Sequence, residues 1–505
     1  MGNKRLVISV VANIIACLVN MGIGFFLTPY VVNNIGSDAY GFVSLANNFT
    51  SYASIITVAL NSMAGRFITI EYERGNYKEA NSYFTAVICG NIFMCIVLLF
   101  PAIICIAGME NFLDVPVNLL KDVQILFTFI FAAFFLTLLN AAFATSTFVA
   151  NRKDIEAKRN IESYCLKAII LIILFQLLLP HVYYVGIATI ATGTYILMMN
   201  IYYTKKLIPE FKISMANFQV KKVKTLIKSG VWNSVVRLSS SLSEGLDLLV
   251  ANLFIGSQEM GMLAVAKTLP GVISTLIGTV SGVFVPNYTI AYARNDKEEL
   301  IFKMRQSMMI LSIISNICLT VLVVVGKEFY QLWVPEENSN ILQILSILTI
   351  AGLSINGGVQ CVYNIFTVTN KLKVVSVVSV LCSFLNIIIV VILLRVTQLG
   401  VFAIAGVSTV LLILRSILFS IPYAARCIDV SIKIFLQPIL SNFFVLVICS
   451  VIGSLVKMLF TLDNWINLII YAGILCIFVA AINVLFALSR EEKKALYETI
   501  MRKLK

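Results

Sequence analysis

The sequence predicts an all-α polytopic membrane protein with fourteen transmembrane helices, arranged as two parallel six-helix lobes followed by two C-terminal helices. Composition is the first observation that supports this fold class. The 505 residues are 59% hydrophobic and 12% charged, and their mean hydropathy of +0.94 lies far outside the soluble globular range. Apolar stretches of about 20 residues also recur along the whole chain, each long enough to cross a hydrocarbon core as a helix. An internal repeat is the third observation.

The apolar stretches set the order of the helices. The first stretch follows a short basic start and runs past Phe26 without a small-residue cleavage pattern, so we interpret it as a retained span and not as a removed signal peptide. The predicted spans cover residues 7–32, 42–65, 82–107, 123–149, 163–180, 182–203, 230–255, 262–288, 307–326, 341–368, 374–395, 400–421, 438–460 and 465–488.

Lysine and arginine are distributed unevenly among the connections. Nearly all of them lie in the two tails and in the alternate loops on the same side, which predicts that both termini are cytoplasmic. The net charge of +13 is spread over these loops, with no domain large enough to bind a duplex, so we expect no nucleic-acid partner. The longest loop, residues 203–228, is basic and is predicted to lie on anionic membrane lipids.

Two pairs of segments repeat each other without a gap. Residues 35–46 superpose on residues 255–266, and with the same offset residues 70–79 superpose on residues 290–299. Six spans per half is an even number, so both halves enter the membrane in the same sense. This is a parallel repeat, and transporters of this kind place the substrate between the halves.

The repeat divides the chain into three predicted parts. Residues 1–210 form an N-terminal lobe of helices 1–6, and residues 211–430 form a C-terminal lobe of helices 7–12. Residues 431–505 contain helices 13 and 14 and a basic cytoplasmic tail.

The seventh predicted helix, within residues 229–256, carries more polarity than a lipid-facing helix holds. At about 100° per residue, one arc of roughly 80° contains Asn233, Arg237, Ser240, Glu244 and Asp247. A charge at mid-bilayer costs about 2.5–3.5 kcal/mol, so such residues normally face a bundle interior or a wet cavity. We therefore expect this face to line a substrate cavity, while pairing that only holds helices together remains an alternative.

Further candidate cations are few. Lys267 lies in span 8, Arg415 lies about 12 Å inside the inner end of span 12, and Arg66 closes span 2 at the cytoplasmic rim. A guanidinium can hold phosphate oxygens bidentately, which lysine cannot. Each candidate also has a structural interpretation, because Arg66 and Lys167 can snorkel to the interface and Asp247 can pair with Lys267.

The sequence contains no recognisable catalytic or metal site. The 11 cysteines lie mostly inside apolar spans, without paired spacing or histidine companions, so we expect no metal ligand and no disulfide. A membrane-embedded polymerase or glycosyltransferase needs paired carboxylates or a metal facing a sizeable aqueous loop, and the outer loops here are short. No nucleotide-binding motif is present. We therefore expect a transporter without a cofactor and not an enzyme; a non-transporting scaffold is a third possibility.

Three segments together are typical of one family: the exit of the first span in residues 25–45, the polar return in residues 70–81 and the repeated residues 255–266. They resemble the multidrug, oligosaccharidyl-lipid and polysaccharide (MOP) exporter superfamily, and within it the Wzx-type oligosaccharide flippases of polysaccharide biosynthesis. The pattern of that family is two six-helix lobes, optionally followed by two further helices. The whole chain fits this pattern.

The resemblance implies a flippase. It would move an undecaprenyl-pyrophosphate-linked oligosaccharide from the inner to the outer leaflet of the cytoplasmic membrane by alternating access, for O-antigen-type or capsule-type polysaccharide. Its partners would be this lipid-linked substrate, membrane lipids and the polysaccharide polymerase machinery. The substrate-binding candidates are then Arg237, Asn233, Ser240, Lys267, Arg415 and Arg66.

Energy coupling and two rival functions stay open. Glu244 and Asp247 are candidates for coupling to a proton or sodium gradient, because a cavity carboxylate with a raised pKa can exchange a proton or bind a cation. Uncoupled exchange is equally compatible with the sequence. The rivals are a cation-coupled multidrug exporter of the same superfamily and a lipid II-type flippase. The first span has no carboxylate in residues 6–33, which favours an anionic substrate over a cationic drug.

Overall fold

The computed structural model consists of helices joined by short turns. It describes residues 19, 21–150, 152–214, 217–244, 246–285, 288, 291, 292, 294, 296–369 and 371–486, and only the backbone of residues 153, 154, 243, 244, 283, 367, 437 and 486. No strand occurs among these residues. Contacts divide the chain into two compact units, Met1–Ala264 and Val265–Lys505.

The first unit begins with the end of the first predicted span and continues through the polar seventh helix. Its first described helix, α1, covers residues 21–34. The other helices that start in this unit are α2 (Ser37–Asn61), α3 (Ala64–Glu73), α4 (Tyr77–Ala107), α5 (Leu120–Val149), α6 (Lys153–Leu177), α7 (Tyr184–Leu207), α8 (Val220–Glu244), α9 (Leu246–Phe254) and α10 (Ser257–Val283).

The second unit contains the remaining helices. These are α11 (Lys297–Trp333), α12 (Ser339–Ile350), α13 (Leu353–Val368), α14 (Leu372–Val396), α15 (Val401–Arg415), α16 (Ile421–Ile428), α17 (Lys433–Lys457) and α18 (Trp465–Phe486). A π-helical turn, Ser416–Ser420, joins α15 to α16, so these three elements form one continuous helix.

Twelve helices within the described ranges are long and apolar enough to cross a membrane. They match the predicted spans except two. Half of span 7–32 lies outside the described residues, and span 230–255 corresponds to α8 and α9 on either side of residue 245, which the structure does not describe. The chain is therefore an all-helical multi-pass membrane protein, while the total of fourteen helices remains a prediction.

Large hydrophobic side chains are exposed on several helices. On α4, Phe93 and Ile96 are 63% and 65% exposed, and on α18 Ile477 is 73% exposed. Lipid tails solvate such side chains, so membrane helices associate through small and polar residues instead. The exposed apolar faces of these helices are therefore suited to contact with lipid tails.

The predicted repeat has a counterpart in backbone conformation. Gly36 and Gly256 occupy equivalent positions, each just before a helix, and both have a positive φ, 120° and 149° respectively. L-residues with a side chain rarely adopt this conformation, whereas glycine does so readily. The two copies of the motif therefore share a turn that requires glycine.

The division by contacts falls after Ala264, so α8 and α9 belong with the first unit by their contacts. The lobe boundary predicted from the repeat, between residues 210 and 211, remains a prediction. Contacts of the loop between α7 and α8 help to hold α8 in the first unit. Asn81 of α4 donates to the carbonyl of Glu210 (2.7 Å) and accepts from the amide of Lys212 (2.9 Å), so the start of the loop packs on protein.

The base of α8 is attached to the same place. Lys222 forms an ion pair with Glu79, and its ammonium lies 4.4 Å from the ring centroid of Tyr83. Burial lowers the pKa of Lys222, but the hydrogen bond to Glu79 and the nearby negative charges outweigh this effect and raise it overall. Lys222 therefore keeps its charge and holds the start of α8 on α4.

The last two helices pack on α11 in the second unit. Asn316 of α11 is buried, and its amide donates to the carbonyl of Asn442 (3.2 Å) on α17 and to the side chain of Asn483 (2.8 Å) on α18. These amide contacts join three helices at one point, where hydrocarbon offers no competing partner.

Candidate functional site

A polar seam between α2 and α8 contains the strongest candidate from the sequence. The two helices approach closely at Gly230, where an added Cβ would lie 2.0 Å from the carbonyl oxygen of Ala59. No side chain fits in this space, so glycine lets α8 bring its polar face against α2.

Two hydrogen bonds extend the seam from this contact. Asn233 donates to the hydroxyl of Ser62 (3.0 Å), and Ser234 donates to the backbone carbonyl of Ile55 (2.7 Å). The predicted polar stripe of α8 is thus partly used in helix packing. For Asn233 this supports the structural alternative, and its substrate-binding role remains a prediction.

Arg237 lies one turn further along the seam. Its Nε donates to the hydroxyl of Ser54 and its Nη2 to the hydroxyl of Ser51, both at 3.2 Å. Ser54 can accept this bond because its own proton goes to the carbonyl of Ser51 (2.6 Å). Within the described part of the chain, no carboxylate lies within ion-pair distance of Arg237. Among the described side chains, its guanidinium is therefore oriented by two neutral hydroxyls.

Sequence reasoning did not identify Ser51 and Ser54. They lie three residues apart on α2, so they share one helix face, and the polar run around them interrupts an apolar span. That run was the available signal. It could not be interpreted without knowing that α8 is the neighbour, because serine hydroxyls in membrane helices usually bond to their own backbone, as Ser240 does with the carbonyl of Arg237 (2.9 Å).

The predicted ion-coupling carboxylates lie at the junction of α8 and α9. Asp247 is buried on α9, at 8% exposure, and interacts electrostatically with the hydroxyl of Tyr52 on α2. Glu244 ends α8, and its side chain lies outside the described residues. The coupling role of both carboxylates remains a prediction.

The other predicted cations occupy different environments. Arg66 is exposed on α3, Lys267 is half-buried on α10, and Arg415 is half-buried at the end of α15. Lys167 is half-buried on α6, and no described residue forms a hydrogen bond or ion pair with it. Their roles, and the predicted placement of a substrate between the two repeats, remain predictions.

A cleft of about 440 Å³ lies between α1 and α6 in the first unit. Its lining is apolar apart from the hydroxyl of Tyr30, which donates to the carbonyl of Phe175 (2.7 Å), and the amide of Gln176. Phe26 and Ile172 at its margin are 74% and 56% exposed. Such a lining suits a hydrocarbon chain better than a sugar or a phosphate.

The short loop between α4 and α5 is attached to the end of α9 and the start of α10. Asp114 and Asn252 exchange two hydrogen bonds, from the amide of Asp114 to the side chain of Asn252 (2.9 Å) and from that side chain to the carbonyl of Asp114 (3.0 Å). The carboxylate of Asp114 also accepts from the amide of Ser257 (3.0 Å). Asp114 is therefore bound to backbone and amide groups. Among the described residues, no cluster of three histidine, cysteine or acidic side chains could hold a metal ion.

Comparison with known proteins places these features in a family. The sequence model of the family described as "Polysaccharide biosynthesis protein" matches residues 6–291. The "Uncharacterized membrane protein EpsK" of Bacillus subtilis (strain 168) is 28% identical over 503 residues, which cover 98% of this chain and 97% of that protein.

Solved structures share the fold at low identity. The lipid II flippase MurJ in an inward closed conformation superposes with a TM-score of 0.68 at 15% identity, covering 94% of this chain and 98% of that chain. An inward-facing multidrug resistance MATE family transporter of the MOP superfamily superposes with a TM-score of 0.67 at 11% identity, covering 84% and 99%. The chain therefore belongs to the polysaccharide biosynthesis protein family, and it shares its fold with a flippase and with a transporter of the MOP superfamily.

Proposed function

We propose that this protein is a flippase that moves an undecaprenyl-pyrophosphate-linked oligosaccharide from the inner to the outer leaflet of the cytoplasmic membrane by alternating access. The product would feed the synthesis of O-antigen-type or capsule-type polysaccharide. Family membership supports the general function. The observation that carries the substrate class is Arg237, a cation within the polar seam whose described partners are two neutral hydroxyls.

The charge of Arg237 suits the most difficult part of this substrate. The polyprenyl tail can stay in lipid during translocation, but the pyrophosphate must cross a layer of low dielectric. A buried carboxylate partner would cancel the charge that such a group needs, whereas serine hydroxyls leave the charge in place. Ser51 and Ser54 accept hydrogen bonds from two of the guanidinium nitrogens of Arg237 and so fix the plane of the group. The remaining N–H groups of the guanidinium therefore point in a defined direction.

The apolar cleft between α1 and α6 is compatible with the same substrate class, because a lipid-linked sugar carries a long hydrocarbon tail. Both termini would be cytoplasmic, and the polysaccharide polymerase machinery would receive the flipped product. Coupling to a proton or sodium gradient through Asp247 and Glu244 belongs to this proposal as one option. Exchange driven only by consumption of the product is the other.

Two related functions compete with this proposal. A lipid II-type flippase would use the same cation for the same pyrophosphate, with a different sugar. A cation-coupled multidrug exporter would bring a positively charged drug against Arg237, where like charges repel. The shared fold alone supports all three.

Complementation of a strain that lacks its own oligosaccharide flippase tests the proposal, with lipid-linked glycan in the outer leaflet as the measurement. We expect Arg237→Ala to reduce this glycan about tenfold or more, and Arg237→Lys to retain part of it, because lysine keeps the charge but cannot bind bidentately. Arg426→Ala is the matched control, since Arg426 is exposed at the end of α16.

Amounts of each variant in the membrane must be equal for the comparison. Wild-type glycan levels with Arg237→Ala would remove Arg237 from the site. Efflux of a cationic dye that depends on the protein, with no flipped glycan, would instead establish the multidrug exporter.

A further inference from the structure

The helix that contains Arg415 is longer than the sequence predicted. The predicted span ended at residue 421, but α15, the π turn and α16 together form one candidate span of 28 residues, Val401–Ile428. Arg415 is therefore about 20 Å from either end of this span, at 1.5 Å of rise per residue. Arg415 therefore lies near the middle of this long helix.

The π turn changes which side chains share a face of this helix. The amide of Ile421 bonds to the carbonyl of Ser416, five residues earlier, and not to the residue four positions earlier. In a continuous α-helix, Arg415 and Ser420 would point about 140° apart. Closing the turn over five residues places them one above the other, as residues four apart lie in an α-helix. Such single π turns in α-helices occur frequently at functional sites.

Both of these residues carry a buried polar atom that is not satisfied. The Nε of Arg415 and the hydroxyl of Ser420 have no hydrogen-bond partner among the described residues, and Ser420 is 2% exposed. No described carboxylate is within ion-pair distance of Arg415. Buried donors without partners are rare in native structures, and each one calls for an explanation.

Neighbouring groups on α13 and α10 make this region polar. The hydroxyl of Tyr363 lies 3.4 Å from the hydroxyl of Ser416, which itself donates to the carbonyl of Leu412 (2.9 Å). The next residue on α13, Asn364, donates to the hydroxyl of Ser281 (3.0 Å). The first residue of the π turn thus contacts a hydroxyl of α13, and the neighbouring residue of α13 bonds to α10.

A cation that only holds helices together looks different in the same unit. Lys457 on α17 donates to the carbonyl of Val324 (2.8 Å) and lies 2.7 Å from the carboxylate of Glu328, both on α11. Its charge and its donors are satisfied by protein. Arg415 has no comparable partner in the part of the chain that the structure describes.

We infer that the π turn builds an anion-binding site in the second unit, where the guanidinium of Arg415 and the hydroxyl of Ser420 together bind one oxyanion. The Nε and a terminal nitrogen of a guanidinium can donate to two oxygens of one phosphate group, and the serine hydroxyl can donate to a third. Because Arg415 lies within a candidate membrane span, the ligand must carry its own apolar part or enter through a wet cavity. The ligand class is a polyprenyl-linked pyrophosphate, an assignment that rests on the proposed function.

Binding of undecaprenyl pyrophosphate to the purified full chain in lipid nanodiscs tests this site, measured by native mass spectrometry. Undecaprenol has the same tail without the anion and serves as the reference ligand. Inorganic pyrophosphate as competitor distinguishes a site for any free pyrophosphate from one that needs the lipid. The variants are Arg415→Leu, Arg415→Lys and Ser420→Ala, and Arg426→Leu is the control.

We expect Arg415→Leu to weaken binding of undecaprenyl pyrophosphate about tenfold or more, because it removes hydrogen bonds in which both the donor and the acceptor are charged. Ser420→Ala should weaken binding roughly threefold, because it removes a single neutral donor. Arg415→Lys should fall between wild type and Arg415→Leu. The control should bind as wild type does, and none of the variants should change binding of undecaprenol. Thermal unfolding of each variant verifies the fold; if Arg415→Leu does not fold, Arg415→Lys and Ser420→Ala decide the result.

Two outcomes would overturn the site, and they can be told apart. If the Arg415 and Ser420 variants bind the pyrophosphate lipid as tightly as wild type, while Arg237→Ala weakens binding, the anion site is wrong and the proposed function stands. If wild type binds undecaprenol and undecaprenyl pyrophosphate equally, the anionic substrate and this site both fail.

Discussion

Gly41 and Gly261 occupy equivalent positions in the two repeats and contact each other directly. A Cβ built on Gly41 would lie 3.0 Å from the Cα of Gly261, and a Cβ built on Gly261 would lie 2.5 Å from the carbonyl carbon of Ser37. A contact between equivalent residues is the mark of a self-complementary surface. The starts of α2 and α10, which carry the repeated motif, therefore meet through backbone atoms.

This contact predicts an unequal cost for two identical substitutions. Gly261→Ala should lower the stability of the purified protein by about 1–3 kcal/mol, because its added methyl meets backbone that cannot move aside. Gly41→Ala should cost less, since its closest neighbour is the flexible end of Met260, at 2.8 Å. Gly278→Ala is the control, because nothing lies within 4 Å of its added Cβ. Thermal unfolding in detergent measures all three, and equal values for Gly261→Ala and Gly278→Ala would contradict the close contact.

The hydroxyls that hold Arg237 lead to a second prediction. Replacing both Ser51 and Ser54 by alanine should lower the flipped glycan about tenfold at unchanged protein level, because the guanidinium loses both acceptors that orient it. Ser234→Ala is the matched control, since Ser234 bonds across the same seam without touching Arg237. If this control reduces flipping as much as the double substitution, the seam matters only for packing.

The attachment of the long loop can be tested by proteolysis. Asn81→Ala removes both hydrogen bonds to the loop, so we expect trypsin to cleave within residues 205–222 several-fold faster than in wild type. Asn76→Ala is the control, because Asn76 bonds only to Glu71 on the neighbouring α3 and to its own helix. Equal cleavage rates in the two variants would show that the loop is held by other contacts.

The asparagine contacts between α11, α17 and α18 predict a stability effect. Asn316→Leu should destabilise the protein by about 0.6–1.7 kcal/mol, which are the mean and the maximum measured for hydrogen bonds between membrane helices. Asn340→Leu serves as the comparison, because Asn340 is exposed near the start of α12. Thermal unfolding of the purified variants measures the difference. An unchanged midpoint for Asn316→Leu would mean that apolar packing alone holds the last two helices.

Hydropathy predicted the helical class and most helix positions, because a bilayer leaves a backbone few alternatives. Helix ends were predicted less well. The helix of Arg415 continues past the predicted end through a π turn, and the basic stretch before residue 230 is already the first part of α8. Both errors come from the same cause, since hydropathy marks where a helix is apolar and not where it begins or ends.

The candidate site was predicted in part. The sequence singled out Arg237 and Asp247, because a charge in an apolar helix is visible without coordinates. It could not identify Ser51 and Ser54, since their role depends on which helix lies opposite them. Nor could it show that Asn233 bonds to Ser62 on α2, because helix periodicity gives a residue its face but not its neighbour.

The sequence by itself determined that this chain crosses a membrane many times, that it contains a repeated motif and that charged residues lie within its spans. These properties follow from composition and from the spacing of residues along the chain, which do not depend on tertiary contacts. Only the tertiary structure decided which charges meet a partner, as Lys457 meets Glu328 while Arg237 meets two hydroxyls. The physical reason is that the free energy of a buried charge depends on the atoms around it, and those atoms come from distant parts of the chain.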